Sequence, residues 1–171
     1  ILYQPQTREE LQAAVDLWVD DEATALATYG DISVWDVSLI TNMRDLFADK
    51  ASFNSDISAW NVSAVTDMIS MFKNATSFNG DLSSWDVSNV NYMASMFEGA
   101  TSFNGDLSSW DVSNITGMTG VFSGAINFNG NISSWDVSAV TEMINTFSNA
   151  SSFNGDLSSW DVSAVTNMSY M

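Results

Sequence analysis

The chain has 171 residues, of which 46% are hydrophobic and 12% aromatic, and its 21 acidic and four basic residues give a formal net charge of −17. This composition excludes a disordered acidic tail, and the charge argues against direct partners such as nucleic acid or anionic membranes, which both attract Lys and Arg. Because the sequence has no His and no Cys, it lacks the usual general base, thiol nucleophiles, disulfides and typical zinc ligands, and we expect no enzyme.

Residues 1–30 depart from the rest of the sequence and predict an N-terminal helical capping segment. Thr7 and Glu10 have the spacing of a capping box, which places a helix start at Thr7. A second short helix is predicted over Glu22–Tyr29, ended by Gly30. A solenoid needs an end piece with one apolar and one polar side, so we expect the first helix to cover the first coil. Its apolar face is predicted to consist of Leu11, Val15 and Trp18.

Residues 31–171 repeat every 25 residues, and the segments 76–89 and 101–114 are identical. A fixed period of this length is typical of solenoids, in which each repeat buries its apolar face against its neighbours. We predict an α/β solenoid: a leucine-rich-repeat-like, right-handed array of six 25-residue coils, each with a short parallel strand and a short helix. A Trp-Asp/Asn-Val-Ser block marks each coil and contains Trp35, Trp60, Trp85, Trp110, Trp135 and Trp160.

The first half of a coil has the pattern of a strand. Leu107, Trp110 and Val112 are spaced as L-x-x-L-x-L, the start of a leucine-rich repeat. In such a strand the Trp and Val point into the core, and we interpret the aromatic columns as core and not as a platform for a ligand. The residues predicted to point outward are Ser109, Asp111 and Ser113.

The second half of a coil has apolar residues at intervals of three or four, which predicts a short helix. A Thr precedes this stretch in most coils and suits a helix N-cap. The coil then closes at Phe-Asn-Gly-Asp, where Gly permits a positive φ. The Asn of this turn is predicted to form a structural ladder, bonding backbone groups that a turning coil leaves unpaired. The ladder consists of Asn54, Asn79, Asn104, Asn129 and Asn154.

The sequence stops at Met171, within the predicted helix of the sixth coil, so we expect a truncated last coil. Such a coil would expose an apolar layer and an unpaired strand edge, which favours association. The segment is then either an excerpt of a longer repeat protein or is covered by another chain, including a second copy. The exposed layer would contain Trp160, Val162, Val165 and Met168.

The repeated block resembles the BspA-type short leucine-rich repeats of bacterial and microbial-eukaryote surface proteins. The resemblance covers residues 31–171 and is seen in DLSSWDVSN, in the Met-Phe pair that follows, in an Ala, and in Phe-Asn-Gly-Asp. It implies a secreted or surface-anchored, non-enzymatic array for adhesion or protein interaction, with no catalytic motif to transfer. The second coil departs from the pattern, since Asn61 replaces Asp and Ser55 replaces Gly.

The outward positions of the predicted strand are the candidate site for a partner, a protein or glycan at a cell surface. Five carboxylates in one row repel each other, so Ser hydrogen bonds, bridging cations or a basic partner must offset the repulsion. A second row at the turn, formed by Asp56, Asp81, Asp106, Asn131 and Asp156, is expected to be structural. The predicted site residues are Asp36, Asp86, Asp111, Asp136 and Asp161, with Ser84, Ser109, Ser134, Ser159, Ser88, Ser113 and Ser138.

The predicted function is therefore a non-enzymatic module for protein interaction or adhesion, located outside the cell or on its surface. The first alternative is a structural subunit that stacks end to end into a filament or matrix. A lesser alternative is a Ca²⁺-dependent or ice- or mineral-binding array, because hard cations take carboxylate oxygens. No cofactor other than this Ca²⁺ is expected.

Overall fold

A computed structural model describes residues 2–171, and the N-terminal cap has the two predicted helices. Helix α1 spans Arg8–Asp20, and Thr7 caps it by accepting a hydrogen bond from the Glu10 N–H at 3.2 Å. Helix α2 spans Glu22–Tyr29 and ends at Gly30, whose φ of 76° only Gly adopts readily. A short 3₁₀ helix, Ile32–Val34, leads into the first coil.

Helix α1 closes the first end of the array. Leu11, Ala14, Val15 and Trp18 are buried, and they belong to the same apolar core as the coils. Polar contacts fix the helix in place: the Lys50 ammonium lies 2.6 Å from the Asp16 carboxylate, and the Gln12 amide donates to the Leu46 carbonyl at 3.1 Å. The Trp18 indole N–H donates to the Ser55 hydroxyl at 2.9 Å. The two predicted N-terminal helices are therefore confirmed, and these contacts place helix α1 against the coils.

The repetitive array is also confirmed, and aromatic columns form its core. The rings of Phe47, Phe72, Phe97, Phe122 and Phe147 stack along the array with centroids 5.3–5.7 Å apart. A second Phe column, which begins at Phe53, stacks at 5.8–5.9 Å. From Trp60 onward, each repeat Trp donates its indole N–H to a carbonyl 28 residues earlier, at 2.8–3.2 Å. The tryptophans therefore join neighbouring coils as well as filling the core.

The predicted strand in each coil is wrong. The alternation of buried and exposed residues holds, but residues 107–115 form tight turns. The N–H groups of Trp110 and Ile115 bond to the carbonyl three residues earlier, at 3.1 and 2.9 Å. Those of Ser108 and Ser113 bond to the Asp carboxylate two residues earlier, at 2.9 and 3.0 Å. The Asp carboxylates thus accept the Ser N–H groups that a strand would donate to its neighbour.

The predicted helix in each coil is wrong as well, because this stretch connects the coils. In residues 93–100, Ser95, Phe97 and Gly99 donate their N–H groups to carbonyls of the next coil at 2.7–2.9 Å. The N–H groups between them bond within the coil, to the carbonyl three residues earlier. Ser95 and Gly99 have φ of 57° and 68°, and left-handed residues at four-residue intervals prevent a helix. The spacing of three or four that predicted a helix also fits this series of turns.

The parallel pairing between coils is limited to isolated bridges, and residues 2–171 form no continuous sheet. The Thr that was predicted to cap a helix takes part in this pairing. The Thr66 N–H donates to the Thr41 carbonyl at 2.8 Å, and the N–H groups of Thr141 and Thr166 likewise donate to the Thr carbonyl 25 residues earlier, at 2.8 and 2.9 Å. The right-handed winding stays a prediction.

The Asn ladder is confirmed, but the Gly of the same turn has a different role from the predicted one. Each Asn side-chain oxygen accepts the backbone N–H of the next Asn at 2.8–2.9 Å, as between Asn79 and Asn104. The Gly residues of Phe-Asn-Gly-Asp do not have a positive φ. Gly is favoured there for its small size, because a Cβ on Gly80 would lie 2.9 Å from the Phe78 ring.

The last coil is less covered than the others. Trp160 and Phe153 are partly buried, whereas Val162 and Met168 are 37% and 41% exposed. In residues 2–171 no helix combines the length and apolar character needed to cross a membrane.

Candidate functional site

The first acidic column is the Asp or Asn that follows each repeat Trp. Asp86, Asp111 and Asp136 are exposed, and in each the Oδ1 atom accepts two hydrogen bonds from the Ser two residues later. The backbone N–H of that Ser lies at 3.0–3.1 Å and its hydroxyl at 2.6 Å. These Asx turns hold each carboxylate in the same orientation. The full column is Asp36, Asn61, Asp86, Asp111, Asp136 and Asp161.

The second oxygen of four of these carboxylates makes no hydrogen bond within the described part of the fold. Oδ2 of Asp86, Asp111, Asp136 and Asp161 has no hydrogen-bond partner within residues 2–171. Asp36 differs, because its Oδ2 accepts from the Gln4 amide of the cap at 2.7 Å. One oxygen thus holds the turn, and the other faces solvent in four coils.

The predicted Ser residues have structural bonds of two kinds. Ser88, Ser113 and Ser138 donate their hydroxyls to the first acidic column. The other set donates to a carbonyl 26 residues earlier, in the previous coil, at 2.5–2.8 Å. This second set is Ser84, Ser109, Ser134 and Ser159. Their protons are therefore committed to the fold, and only their oxygens remain as acceptors for a partner.

The residues of the second acidic column form turns of the same kind. Asp56, Asp81, Asp106 and Asp156 accept the N–H of the Ser two residues later at 2.9 Å, and Asn131 does so at 3.1 Å. The structural role predicted for this column fits these bonds.

The four cations of the chain lie away from both columns. Arg44 is 3.0 Å from Asp67, Lys50 is 2.6 Å from Asp16, and Lys73 is 3.1 Å from Glu98. Arg8 donates to the backbone carbonyl of Arg44. The carboxylates of both columns therefore have no ion pair among residues 2–171.

Hydrogen bonding lowers the pKa of Asp86 and of Asp136 in the first acidic column. The Ser88 hydroxyl, and next its backbone N–H, hold the pKa of Asp86 below its usual value of 3.8. Ser138 lowers the pKa of Asp136 in the same way, while the neighbouring Asp161 charge opposes this with a smaller effect. Between Asp136 and Asp161 the predicted repulsion is therefore present, and the turn bonds of Asp136 outweigh it.

These pKa shifts predict how stability depends on pH. Because the pKa values of Asp86, Asp106 and Asp136 are lower in the folded state than in the unfolded state, these residues stabilise the fold above the unfolded value of 3.8. The stabilisation is lost as pH falls through the lower folded values. We expect the melting temperature to be level from pH 7 to about pH 5 and to fall below about pH 4. Circular dichroism melts at constant ionic strength measure this, and a melting temperature that rises on acidification would contradict it.

Within residues 2–171 no three acidic side chains converge in a way that could hold a metal ion. The Ca²⁺ expectation stays a prediction.

One exposed aromatic residue was missed by the sequence analysis. Tyr92 is 56% exposed and lines a cleft of about 160 Å³ that also contains Gly117 and Glu142. The signal was present in the sequence, since Asn91-Tyr92 stands where the other coils have Thr followed by a small or polar residue.

The sequence model of one family matches this chain over residues 19–118 and again over 105–171, and the family is described as "Mycoplasma protein of unknown function, DUF285". No curated protein and no solved structure matches the chain.

Proposed function

The chain belongs to the DUF285 family, and we propose that it is a non-enzymatic recognition array, secreted or held at a cell surface, which binds a basic protein partner along its first acidic column. The surface location and the finer assignment to BspA-type leucine-rich repeats, with right-handed winding, rest on the resemblance of the Trp-Asp-Val-Ser block. The absence of His and Cys from the sequence supports a non-enzymatic role.

The observation on which the proposal depends is the free Oδ2 atom of Asp86, Asp111, Asp136 and Asp161. An Asx turn needs only one of the two carboxylate oxygens, so the other stays available to a partner. Here one oxygen is fixed by Ser and the other recurs in coil after coil without a partner among the described residues. Such a row presents regularly spaced acceptors to a partner with regularly spaced cations.

Electrostatics favours a basic partner. The centroids of equivalent aromatic rings in successive coils lie 5.3–6.4 Å apart, which indicates the distance between neighbouring coils. At about 5–6 Å two carboxylates repel by roughly 1 kcal/mol in water and by about 3 kcal/mol at an effective dielectric constant of 20. A partner with Lys or Arg side chains relieves this repulsion and gains exposed ion pairs. Long-range attraction to a chain of charge −17 also speeds its association.

The end-to-end structural alternative has less support. Helix α1 covers the first coil and leaves Glu9 and Asp20 exposed. A second copy stacking its last coil there would place Val162 and Met168 against a charged surface, at a cost in desolvation.

The proposal is tested with a synthetic eight-residue peptide of alternating Lys and Gly. The column variant combines Asp86→Asn, Asp111→Asn and Asp136→Asn. Asn keeps the turn acceptor, as Asn61 shows by accepting the Ser63 N–H at 3.1 Å and the Ser63 hydroxyl at 2.7 Å. Three exposed ion pairs of roughly 0.5 kcal/mol each sum to about 1.5 kcal/mol, so we expect the Kd to rise about tenfold.

A control variant with the same change of charge separates site binding from general attraction. It combines Glu9→Gln, Asp20→Asn and Asp45→Asn, three exposed acidic residues outside both columns. Calorimetry at low salt should show a change in Kd below about threefold for this control, since only long-range attraction is reduced. Equal losses in the two variants, or no binding by the parent protein, would disprove the acidic-column proposal.

A further inference from the structure

The pairing between coils is interrupted at one place in the column that precedes the repeat Met. Asn42, Asp67 and Tyr92 form one run of parallel bridges, and Gly117, Glu142 and Asn167 form another. Within residues 2–171 no bridge joins Tyr92 to Gly117. The third and fourth coils are therefore not bridged at this position, whereas the other neighbouring coils are.

Backbone groups are left without partners at this opening. The Met68 N–H donates to the Tyr92 carbonyl and the Met118 N–H to the Glu142 carbonyl, both at 2.8 Å. The equivalent N–H of Met93 has no acceptor among the described residues, and neither has the N–H of Thr116. Pairing resumes at once, since the Ser95 N–H reaches the next coil at 2.8 Å. The opening is therefore local.

A cleft of about 160 Å³ lies at the opening, lined on one side by Tyr92 and on the other by Glu142. Gly117 stands between them in the column, and a Cβ on Gly117 would have no atom within 4 Å. Free space therefore lies on the array next to Tyr92, whose side chain is 56% exposed. None of the residues that line the cleft belongs to either acidic column.

The same column shows what a carboxylate on this face binds when a cation is in reach. Asp67 accepts two hydrogen bonds from the Arg44 guanidinium, from Nε at 3.1 Å and from an Nη at 3.0 Å. Glu142, three coils further on, has no ion-pair partner within residues 2–171. It faces the cleft without the guanidinium that Asp67 has.

We propose that the Tyr92–Glu142 cleft binds an arginine side chain of a basic partner. This proposal rests on the proposed function, since the arginine belongs to the same basic partner. A guanidinium is planar, stacks on an aromatic ring and donates several hydrogen bonds to a carboxylate in a fixed geometry. Lysine offers a point charge without the planar stacking, so the cleft selects arginine over lysine.

The test compares two peptides on the full chain. One is the alternating Lys–Gly peptide, and the other has a single central Lys replaced by Arg. We expect the Arg peptide to bind about fivefold more tightly to the parent protein. Tyr92→Asn should abolish this preference and leave the Kd of the Lys peptide within about twofold. This variant should fold, because Asn occupies the same position in the first and last coils, at Asn42 and Asn167.

Two further variants define the site. Glu142→Gln should reduce the preference for Arg, and Tyr170→Asn, which removes another exposed Tyr, should leave it unchanged. An Arg preference that survives Tyr92→Asn would disprove the cleft proposal.

The remaining outcomes separate this proposal from the proposed function. If both peptides bind equally and the binding depends on the acidic columns, the proposed function stands and the cleft proposal fails. If neither peptide binds, both fail. A neutral methyl glycoside that shifts the Gly117 amide resonance in NMR spectra, where the Arg peptide does not, would also contradict an arginine site.

Discussion

Replacement of Phe97 by Ala is expected to lower the free energy of unfolding by about 3–5 kcal/mol, the usual cost of removing a buried aromatic ring. Phe97 is fully buried at the centre of the array. Its ring stacks on Phe72 at 5.6 Å and on Phe122 at 5.7 Å, and the Phe103 ring lies at 4.1 Å. The cavity would thus remove the ring contacts that join this coil to the coil before it and to the coil after it. Urea unfolding followed by tryptophan fluorescence measures the loss.

Phe147→Ala is the matched control, because it removes the same ring from the same column near the end of the array. Phe147 is only partly buried, and it stacks on Phe122 at 5.6 Å without a further ring beyond it in the column. We expect a cost of less than about 2 kcal/mol, since less apolar area leaves water on folding. Equal costs at the two positions would contradict a core that is continuous through the stacked coils.

Gly130→Ala is expected to destabilise the fold by about 1–3 kcal/mol through overpacking. A Cβ on Gly130 would collide with the Gly105 carbonyl oxygen of the previous coil and would lie 2.8 Å from Cε2 of the Phe128 ring. The collision with a backbone atom can be relieved only by moving one coil away from the other. The melting temperature and the urea midpoint both report this change.

Gly117→Ala tests whether space between coils, and not Gly itself, determines the cost. A Cβ at Gly117 would have no atom within 4 Å, and this Gly does not have a positive φ. The expected change is within about 0.5 kcal/mol. A Gly130→Ala variant as stable as the Gly117→Ala variant would show that the coils are not in close contact at the Phe-Asn-Gly-Asp turn.

The apolar half of the repeat could be predicted from sequence because burial leaves a direct signal. Trp110 and Val112 are 3% and 2% exposed, and Asp111 between them is exposed, as the alternation indicates. The helices of the cap were predicted for a similar reason, since Thr7 and Gly30 are local end signals.

The backbone pairing could not be predicted from the same pattern. Alternation is shared by strands and by the turns of residues 107–115, in which Ser113 bonds to Asp111 and not to the next coil. Intervals of three and four are shared by a helix and by the series of turns around Ser95 and Gly99. Whether the chain forms strands and helices or turns depends on contacts between residues about 25 positions apart in the sequence, which no local spacing reveals.

The candidate site was predicted in part. The sequence indicates that the Asp columns face outward, but the use of one oxygen by a turn and the freedom of the other depend on geometry. The cleft depends on a missing bridge between Tyr92 and Gly117, and only the departure of Asn91 and Tyr92 from the repeat hinted at it.

We expect the free carboxylate oxygens of the first acidic column to receive the partner. NMR spectra of the ¹⁵N-labelled protein, titrated with the Lys–Gly peptide at low salt, test it most directly. The backbone amides of Ser88, Ser113 and Ser138 donate to the same carboxylates and are therefore the reporters. These three amide resonances should shift most and saturate together. Shifts confined to helix α1, or spread evenly over all exposed residues while these three stay fixed, would contradict it.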